Sequence, residues 1–113
     1  MGTASQELVD EQVYSWTEMH KKSAVSYLVL NALKTKNMWS KELEQWIQAT
    51  AGWDISERSL YRILRRMQKQ GSIQFESESV ARTGAERKIY AMTAEGKALL
   101  AAMRDELSYL LKV

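Results

Sequence analysis

The sequence predicts an α+β domain that is mostly α-helical, with one β-hairpin near its carboxyl end. The 113 residues include no proline and only five glycines, so few positions interrupt a helix. Apolar residues recur at three- and four-residue spacing over most of the chain. Alternation of apolar and polar residues is confined to residues 72–77 and 86–92. With 45% apolar residues, the chain can bury one modest core.

The first 36 residues predict two helices. Residues 5–19 carry a narrow apolar stripe that includes Trp16, and they belong to an acidic extension over residues 1–20. This extension holds four carboxylates and no lysine or arginine, so the net charge of +2 comes from the rest of the chain. Residues 22–36 predict a buried helix, because their apolar side chains recur every three or four positions.

Two further helices are predicted in tandem. Ser40 is a suitable N-cap for a helix that continues to Ala49, and Gly52 ends this region. Ser56 is the predicted N-cap of the next helix, over residues 56–70, and Gly71 is its predicted C-terminal stop. Two consecutive helices of this kind predict a helix-turn-helix.

The hairpin and a last helix complete the predicted fold. The two alternating stretches are joined by a turn over residues 79–85, with Arg82 near its tip, and Thr93 caps a helix that ends near Leu111. The order of elements is that of a winged helix-turn-helix with N- and C-terminal flanking helices. We expect one domain over residues 1–113, with a core at 22–92 and a dimerisation helix at 93–113.

The helix at 56–70 separates apolar from basic residues. At about 100° per residue, Leu60, Leu64 and Met67 fall on one face. The stretch 56–71 holds five cations, four of them arginine, against one acid. A merely solvated helix face usually mixes glutamate with lysine. Because arginine forks onto phosphate and guanine edges, the pattern favours contact with nucleic acid over plain solubility.

Individual positions follow from docking this helix in the major groove of DNA. Residues early in such a helix reach base edges, and later cations meet phosphate. The hairpin would add contacts as a wing. For the two strand residues of the wing, a solvated face is an equally good interpretation. The predicted DNA-binding residues are Ser56, Arg58, Ser59, Arg62, Arg65, Arg66, Lys69, Arg82, Arg87 and Lys88.

The last helix carries more apolar residues than one small domain readily covers. We expect a homodimer, because such a seam left exposed would form a patch typical of interfaces. Packing against the helix at 22–36 within one chain is the alternative. The predicted interface residues are Leu99, Leu100, Met103, Leu107, Leu110, Leu111 and Trp16.

Residues 25–105 resemble the PadR-type transcriptional regulators. The resemblance lies in Ser56, Leu60-Tyr61, Leu64-Arg65-Arg66-Met67, Gly71-Ser72-Ile73, Lys88-Ile89-Tyr90 and Thr93-Ala-Glu-Gly96. It implies a winged helix that dimerises through C-terminal helices and, in most members, represses transcription, with release by small molecules or stress signals in some. It also implies that the Tyr61 phenol contacts the DNA backbone. A ring packed beside the core is an equally good interpretation of Tyr61.

Two departures from the family pattern bear on specificity. Met38-Trp39-Ser40 stands where the family usually has Gly-Tyr, and Glu57-Arg58 replaces a frequent Pro-Gly. The second departure changes the base-facing end of the helix, so no operator can be carried over. The compact form with an N-terminal extension is similar to the cyanobacterial clock-associated period-extender branch of the family.

Taken together, these features predict a cytoplasmic, nucleoid-associated regulator that binds double-stranded DNA sequence-specifically as a homodimer and acts as a repressor. An enzyme is not expected, because the chain has one histidine, no cysteine and no glycine-rich phosphate loop. We expect no metal, no cofactor and no membrane contact. The alternative is a ligand-sensing or protein-binding module without base-specific recognition. A small aromatic ligand could lie among Trp16, Trp39, Trp46 and Trp53, although packing is the commoner fate of tryptophan.

Overall fold

The computed structural model describes residues 3–80 and 82–113. Met1 and Gly2 of the predicted acidic extension, and Ala81 of the predicted turn, lie outside the described residues. The described elements are α1 (Thr3–Thr35), α2 (Ser40–Ala51), α3 (Glu57–Gln70), β1 (Ile73–Ser79), β2 (Glu86–Met92) and α4 (Ala94–Leu111). This is the winged helix-turn-helix that the sequence predicts. None of the helices described has the length and apolar character needed to cross a membrane.

The two helices predicted over the first 36 residues are one continuous helix, α1. The prediction of a break near residues 20–22 was wrong, because Lys21 and Lys22 are good helix formers and the region has neither glycine nor proline. An ion pair of 3.1 Å between Lys21 Nζ and Glu18 Oε1 spans the region on the helix surface. The N-terminal half of α1 leaves its apolar side chains, such as Leu8 and Val13, exposed beyond the body of the domain.

The helix ends follow the predicted capping residues with one exception. Trp39, and not Ser40, is the N-cap of α2, and Ser40 is already the first helical residue. The Trp39 amide donates a 3.4 Å hydrogen bond to Glu42 Oε1, so the carboxylate at the third helical position satisfies the amide of the N-cap residue. Gly52 ends α2 at a φ of 72°, and Gly71 ends α3 at 86°, a left-handed conformation that glycine adopts without strain.

The hairpin pairs β1 with β2 in an antiparallel register that places Phe75 opposite Tyr90. A short bridge extends this sheet, because Met38 exchanges two backbone hydrogen bonds with Tyr90, of 3.1 and 2.8 Å. β2 therefore lies between β1 and the segment that leads into α2. This bridge connects the hairpin directly to the helix-turn-helix.

One apolar core joins all the helices and the base of the hairpin. Its largest fully buried side chains come from α1, α2, α3 and β1: Val29, Leu30, Leu43, Ile47, Leu60, Leu64 and Ile73. α4 packs against α1 and β2. Leu100 of α4 is only 4% exposed and belongs to this core, so it leaves little surface for the dimer interface predicted for it. Adjacent residues on a helix point about 100° apart, so Leu100 is buried in the core while Leu99 is exposed.

Candidate nucleic-acid interface

α3 turns its apolar side chains into the core and its cations to the outside. Leu60, Leu64 and Met67 are buried. Every cation of the helix is exposed: Arg58, Arg62, Arg65, Arg66 and Lys69. Within residues 3–80 and 82–113, the ion pairs join Lys21 to Glu18, Lys36 to Glu42 and Arg87 to Glu78, and none uses a cation of α3. The helix thus presents five positive charges that no carboxylate of the described chain neutralises.

Two serines form the N-terminal cap of α3. The Ser56 hydroxyl accepts a 3.1 Å hydrogen bond from the Ser59 amide and donates a 2.8 Å bond to the Ser59 hydroxyl. This cap fixes the first turn, where Arg58 lies exposed. The positive end of the helix dipole and Arg58 therefore act at the same place, which favours an anion there.

A cleft of about 390 Å³ separates α3 from the hairpin, lined by Tyr61, Arg65, Gln68, Lys69, Phe75, Lys88 and Tyr90. The Lys88 ammonium lies 4.6 Å from the centre of the Phe75 ring and 5.4 Å from that of Tyr61. These cation–π contacts hold the positive charge of Lys88 beside Arg65 and Lys69. Tyr61 is 46% exposed and lines the cleft, so part of its side chain remains open to a ligand.

Tyr90 forms the inner wall of this cleft without adding negative charge. Burial raises the pKa of its phenol above the usual value of 10.0, with a smaller contribution from the charge of Tyr61. The phenol is therefore protonated at neutral pH. The cleft combines three cations with neutral aromatic walls, which is suited to a phosphate group.

The structure separates the three predicted wing residues. Arg82 is exposed in the turn between the strands, and Lys88 points into the cleft beside α3. Arg87 lies on the opposite face of β2, with its guanidinium carbon 4.7 Å from the centre of the Trp39 ring. Its Nη2 is 3.9 Å from Glu78 Oε1 across the hairpin. Arg87 is thus not brought together with the cations of α3.

From the sequence, Trp39 was noted as a departure from the family pattern and as one of four tryptophans around a possible ligand, but no contact between Trp39 and Arg87 was predicted. Trp39 and Arg87 are far apart in the chain, and no local periodicity connects them. The only signal in the sequence was the pair of residue types, because arginine is the more frequent cation and tryptophan the best ring in cation–π contacts.

The predicted dimer residues of α4, apart from the buried Leu100, lie at or near the surface. Leu99 is exposed, Leu110 and Leu111 are 66% and 86% exposed, and Leu107 is half-buried. Met103 is half-buried and packs on the core. On α1, Trp16 is 66% exposed. The outer end of α4 and the N-terminal half of α1 are therefore the two apolar surfaces that the described chain leaves uncovered.

One aromatic cluster lies next to these surfaces. The ring of His20 stacks on Trp16 at a centroid distance of 5.1 Å and meets the edge of Trp53 at 6.5 Å. His20 and Trp53 also line an apolar cavity of about 560 Å³ between α1 and α4, which is completed by Ser23, Ala24, Tyr27, Leu28, Ala51, Leu99, Ala102, Met103, Glu106 and Leu107. Trp39 and Trp46 are not among its lining residues.

Comparison with solved structures shows where this fold recurs. A PadR-family regulator from Eggerthella lenta superposes with a TM-score of 0.80 at 24% identity, covering 94% of this chain and 91% of that one. A transcriptional regulator from Thermoplasma acidophilum gives 0.74 at 24% identity, with coverages of 80% and 86%. Bacillus subtilis PadR in complex with operator DNA gives 0.65 at 22% identity, covering 71% of this chain and 46% of that chain.

These likenesses establish the winged-helix fold. No curated protein sequence matches the chain significantly. The match that carries the assignment is to a family model described as the transcriptional regulator PadR-like family, which spans residues 29–102. That span runs from the buried half of α1 through the hairpin into α4, so it includes the whole basic face described above. The chain belongs to the transcriptional regulator PadR-like family.

Proposed function

We propose that the protein binds double-stranded DNA sequence-specifically, with α3 in the major groove and the β1–β2 hairpin as the wing. The observation that carries this proposal is the row of five exposed cations on α3 that no carboxylate of the described residues pairs. An exposed basic face without counter-charges is the electrostatic footprint of a nucleic-acid partner. The complex of the Bacillus subtilis relative with operator DNA supports the same use of this fold.

The geometry suggests a division of roles along the interface. Arg58 and Arg62, near the capped end of α3, would reach base edges, and Ser56 and Ser59 would face the same groove. The cations further along, Arg65, Arg66 and Lys69, would contact phosphate together with Tyr61 and Lys88 across the cleft. Arg82, exposed in the hairpin turn, would enter the adjacent minor groove.

We further propose that the protein acts as a homodimer. The exposed leucines of α4 and the exposed apolar side chains of the N-terminal half of α1 support this, because isolated soluble domains rarely leave such contiguous patches uncovered. A two-fold dimer would recognise a roughly palindromic site whose halves lie about one turn of DNA, or a multiple, apart. We propose repression as the sign of regulation, on the resemblance to family members that repress.

Selection of bound fragments from a random DNA pool, followed by mobility shifts across a salt series, tests the proposal. A palindromic motif is expected. Neutralising six to eight phosphates per dimer predicts a slope of log affinity against log salt of roughly −5 to −7. Arg62→Ala should weaken binding to the selected site by about 5- to 150-fold for each half-site, since one arginine–base contact contributes roughly 1–3 kcal/mol.

Lys112→Ala supplies the control, because Lys112 is exposed just beyond α4 and its loss removes one positive charge outside α3. The control should bind like the wild-type protein. If Arg62→Ala bound the selected site as tightly as the control, α3 would not be in the interface. If no fragment were enriched from the pool, sequence-specific DNA binding itself would be wrong.

The aromatic-lined cavity between α1 and α4 favours a second candidate, the sensing of a small planar aromatic ligand. Its volume of about 560 Å³ falls in the range of small-molecule sites, and Trp53 and His20 offer ring faces or edges for stacking. Titration of tryptophan fluorescence with planar aromatic compounds, compared with the Trp53→Phe variant, tests it. A saturable change that Trp53→Phe abolishes supports a ligand site. Identical titrations of the two proteins would count against one.

We also propose the clock-associated period-extender branch as the closer assignment within the family. The long N-terminal half of α1, which lies ahead of the span matched by the family model, supports it. Action on chromosomal DNA would place the protein in the cytoplasm, at the nucleoid. Deletion of the gene tests the assignment to the clock-associated branch. We expect the deletion to change the period of a daily rhythm of gene expression, and an unaltered period would contradict the assignment.

A further inference from the structure

We infer that Arg87 is a positioning residue that fixes the wing against the start of α2 through the Trp39 ring, and that it contributes to DNA binding without touching a phosphate. This inference rests on the proposed DNA-binding function. It replaces the direct DNA contact that the sequence predicts for Arg87. The contacts on the two faces of β2 carry it.

On one face of β2, Arg87 is held by Trp39. The guanidinium carbon lies 4.7 Å from the centre of the indole ring, within the range of a cation–π contact. The Nε of Arg87 is buried and has no hydrogen-bond partner among the described residues. An arginine placed to grip phosphate would keep its donors available, whereas this one commits part of its guanidinium to an aromatic surface.

The partner of Arg87 is itself immobilised at the entrance to α2. Trp39 is the N-cap: its carbonyl accepts a 3.1 Å hydrogen bond from the Leu43 amide, and its amide donates to Glu42. Glu42 in turn accepts a 2.8 Å hydrogen bond from Lys36 Nζ. Because both the amide and the carbonyl of Trp39 are hydrogen-bonded, the residue is held in place. Its ring therefore gives Arg87 a fixed surface on the helix-turn-helix.

On the other face, the next residue of β2 makes the complementary contact. Lys88 lies over Tyr61 of α3, so consecutive residues connect the strand to α2 on one side and to α3 on the other. Residues 82–86, further toward the tip, are all exposed, which makes Arg87 the outermost side chain of β2 that is not fully exposed. The Arg87–Trp39 contact therefore determines the angle at which Arg82 and the tip leave the body.

Salt dependence separates positioning from phosphate contact. Removal of a direct phosphate contact lowers the magnitude of the slope of log affinity against log salt by about 0.9 for each protomer, whereas a misplaced wing weakens binding at an unchanged slope.

The variants that test the contact are Arg87→Met, which keeps an unbranched chain without the charge, and Trp39→Ala. Arg87→Lys and Trp39→Phe preserve a cation and a ring face. Arg66→Met is the reference for loss of a phosphate contact. Binding is measured by fluorescence anisotropy on a selected DNA fragment.

Arg87→Met and Trp39→Ala are each expected to weaken binding about 2- to 30-fold at a wild-type slope, the range that corresponds to one cation–π contact. The double variant should bind no more weakly than the weaker single variant, because both remove the same contact. The two conservative variants should retain most of the affinity. A lower salt slope for Arg87→Met, wild-type binding by it, or losses that multiply in the double variant would each overturn the inference.

A readout on the free protein separates this inference from the proposed function. Hydrogen exchange at the Met38 and Tyr90 amides, which form the bridge between wing and helix-turn-helix, should quicken in Arg87→Met and Trp39→Ala but not in Arg66→Met. Unchanged exchange in the first two variants would contradict positioning even if the protein binds DNA. If the wild-type protein bound no DNA, the proposed function would be wrong. The hydrogen-exchange measurement would still show whether Arg87 holds the wing in place.

Discussion

The Thr93 hydroxyl donates a 2.6 Å hydrogen bond to the carbonyl oxygen of Gly71, which joins the start of α4 to the end of α3. The oxygen of that Thr93 hydroxyl also accepts a 3.0 Å hydrogen bond from the Gly96 amide, so Thr93 is the N-cap of α4. One side chain thus satisfies a helix terminus and orients two helices relative to each other. This contact therefore connects α3, which we propose binds DNA, to α4, which we propose forms the dimer interface.

Thr93→Val should lower the free energy of unfolding by about 1–2 kcal/mol, because it removes a cap and leaves the Gly71 carbonyl without this partner. Thr93→Ser, which keeps the hydroxyl, should lose much less. Urea unfolding followed by circular dichroism gives the comparison. Thr50→Val, at an exposed position of α2, is a control that should change little. Equal stabilities for Thr93→Val and Thr93→Ser would show that the hydroxyl contributes nothing.

Gly96→Ala is expected to be destabilising, although alanine is the better helix former. A Cβ at position 96 would overlap the carbonyl oxygen of Ser72 and the side chain of Met92, so α4 would have to move off the hairpin. Overpacking of this kind costs about 1–3 kcal/mol, which corresponds to a fall in Tm of several degrees. Calorimetry measures it, with Ala98→Gly as a control for helix propensity alone. A Tm for Gly96→Ala at or above that of the wild type would contradict the close approach.

Glu42 should make stability depend on pH. The hydrogen bond from Lys36, the bond from the Trp39 amide and nearby positive charge hold the pKa of its carboxyl below the usual 4.5, against the opposing effect of desolvation. Because the folded state favours the ionised form, this stabilisation is present above about pH 4.5 and is lost as the pH falls through the lowered folded-state value.

Glu42→Gln should therefore be less stable than the wild type at pH 7, by less than about 1 kcal/mol since the pair is partly exposed. The difference should shrink as the solution is acidified below the pKa of an ordinary glutamate. Urea unfolding at a series of pH values measures it. Glu44→Gln is the control, because Glu44 has no ion pair in the part of the chain that the structure describes. A difference that persisted unchanged at pH 3 would exclude ionisation as the cause.

Substitution of both Leu110 and Leu111 by glutamate should shift the protein toward monomers. Both side chains are mostly exposed, so the change should affect association without damaging the core. Sedimentation velocity across a range of concentrations gives the mass, and thermal unfolding checks that the fold persists. Ala98→Glu, exposed on the same helix, should leave association unaltered. A monomeric wild-type protein at all concentrations would end the homodimer proposal.

The sequence by itself determined the features that depend on neighbouring residues. The one-sided charge of α3 follows from helical periodicity, and its ends follow from Ser56 and Gly71, because capping groups act within one turn. The hairpin strands and the cap at Thr93 were predicted for the same local reason. The prediction from local sequence was wrong at residues 20–22, where α1 continues although two separate helices were expected.

Only the tertiary structure decided which side chains meet across the chain. Leu99 and Leu100 are equivalent in a sequence pattern, but the docking of α4 on α1 buries Leu100 and leaves Leu99 at the surface. Arg87 and Lys88 are both basic strand residues, yet the alternation of β2 sends one to Trp39 and the other to Tyr61. Such contacts depend on how elements pack, because a helix or strand pattern gives the faces of an element but not the partner of each face.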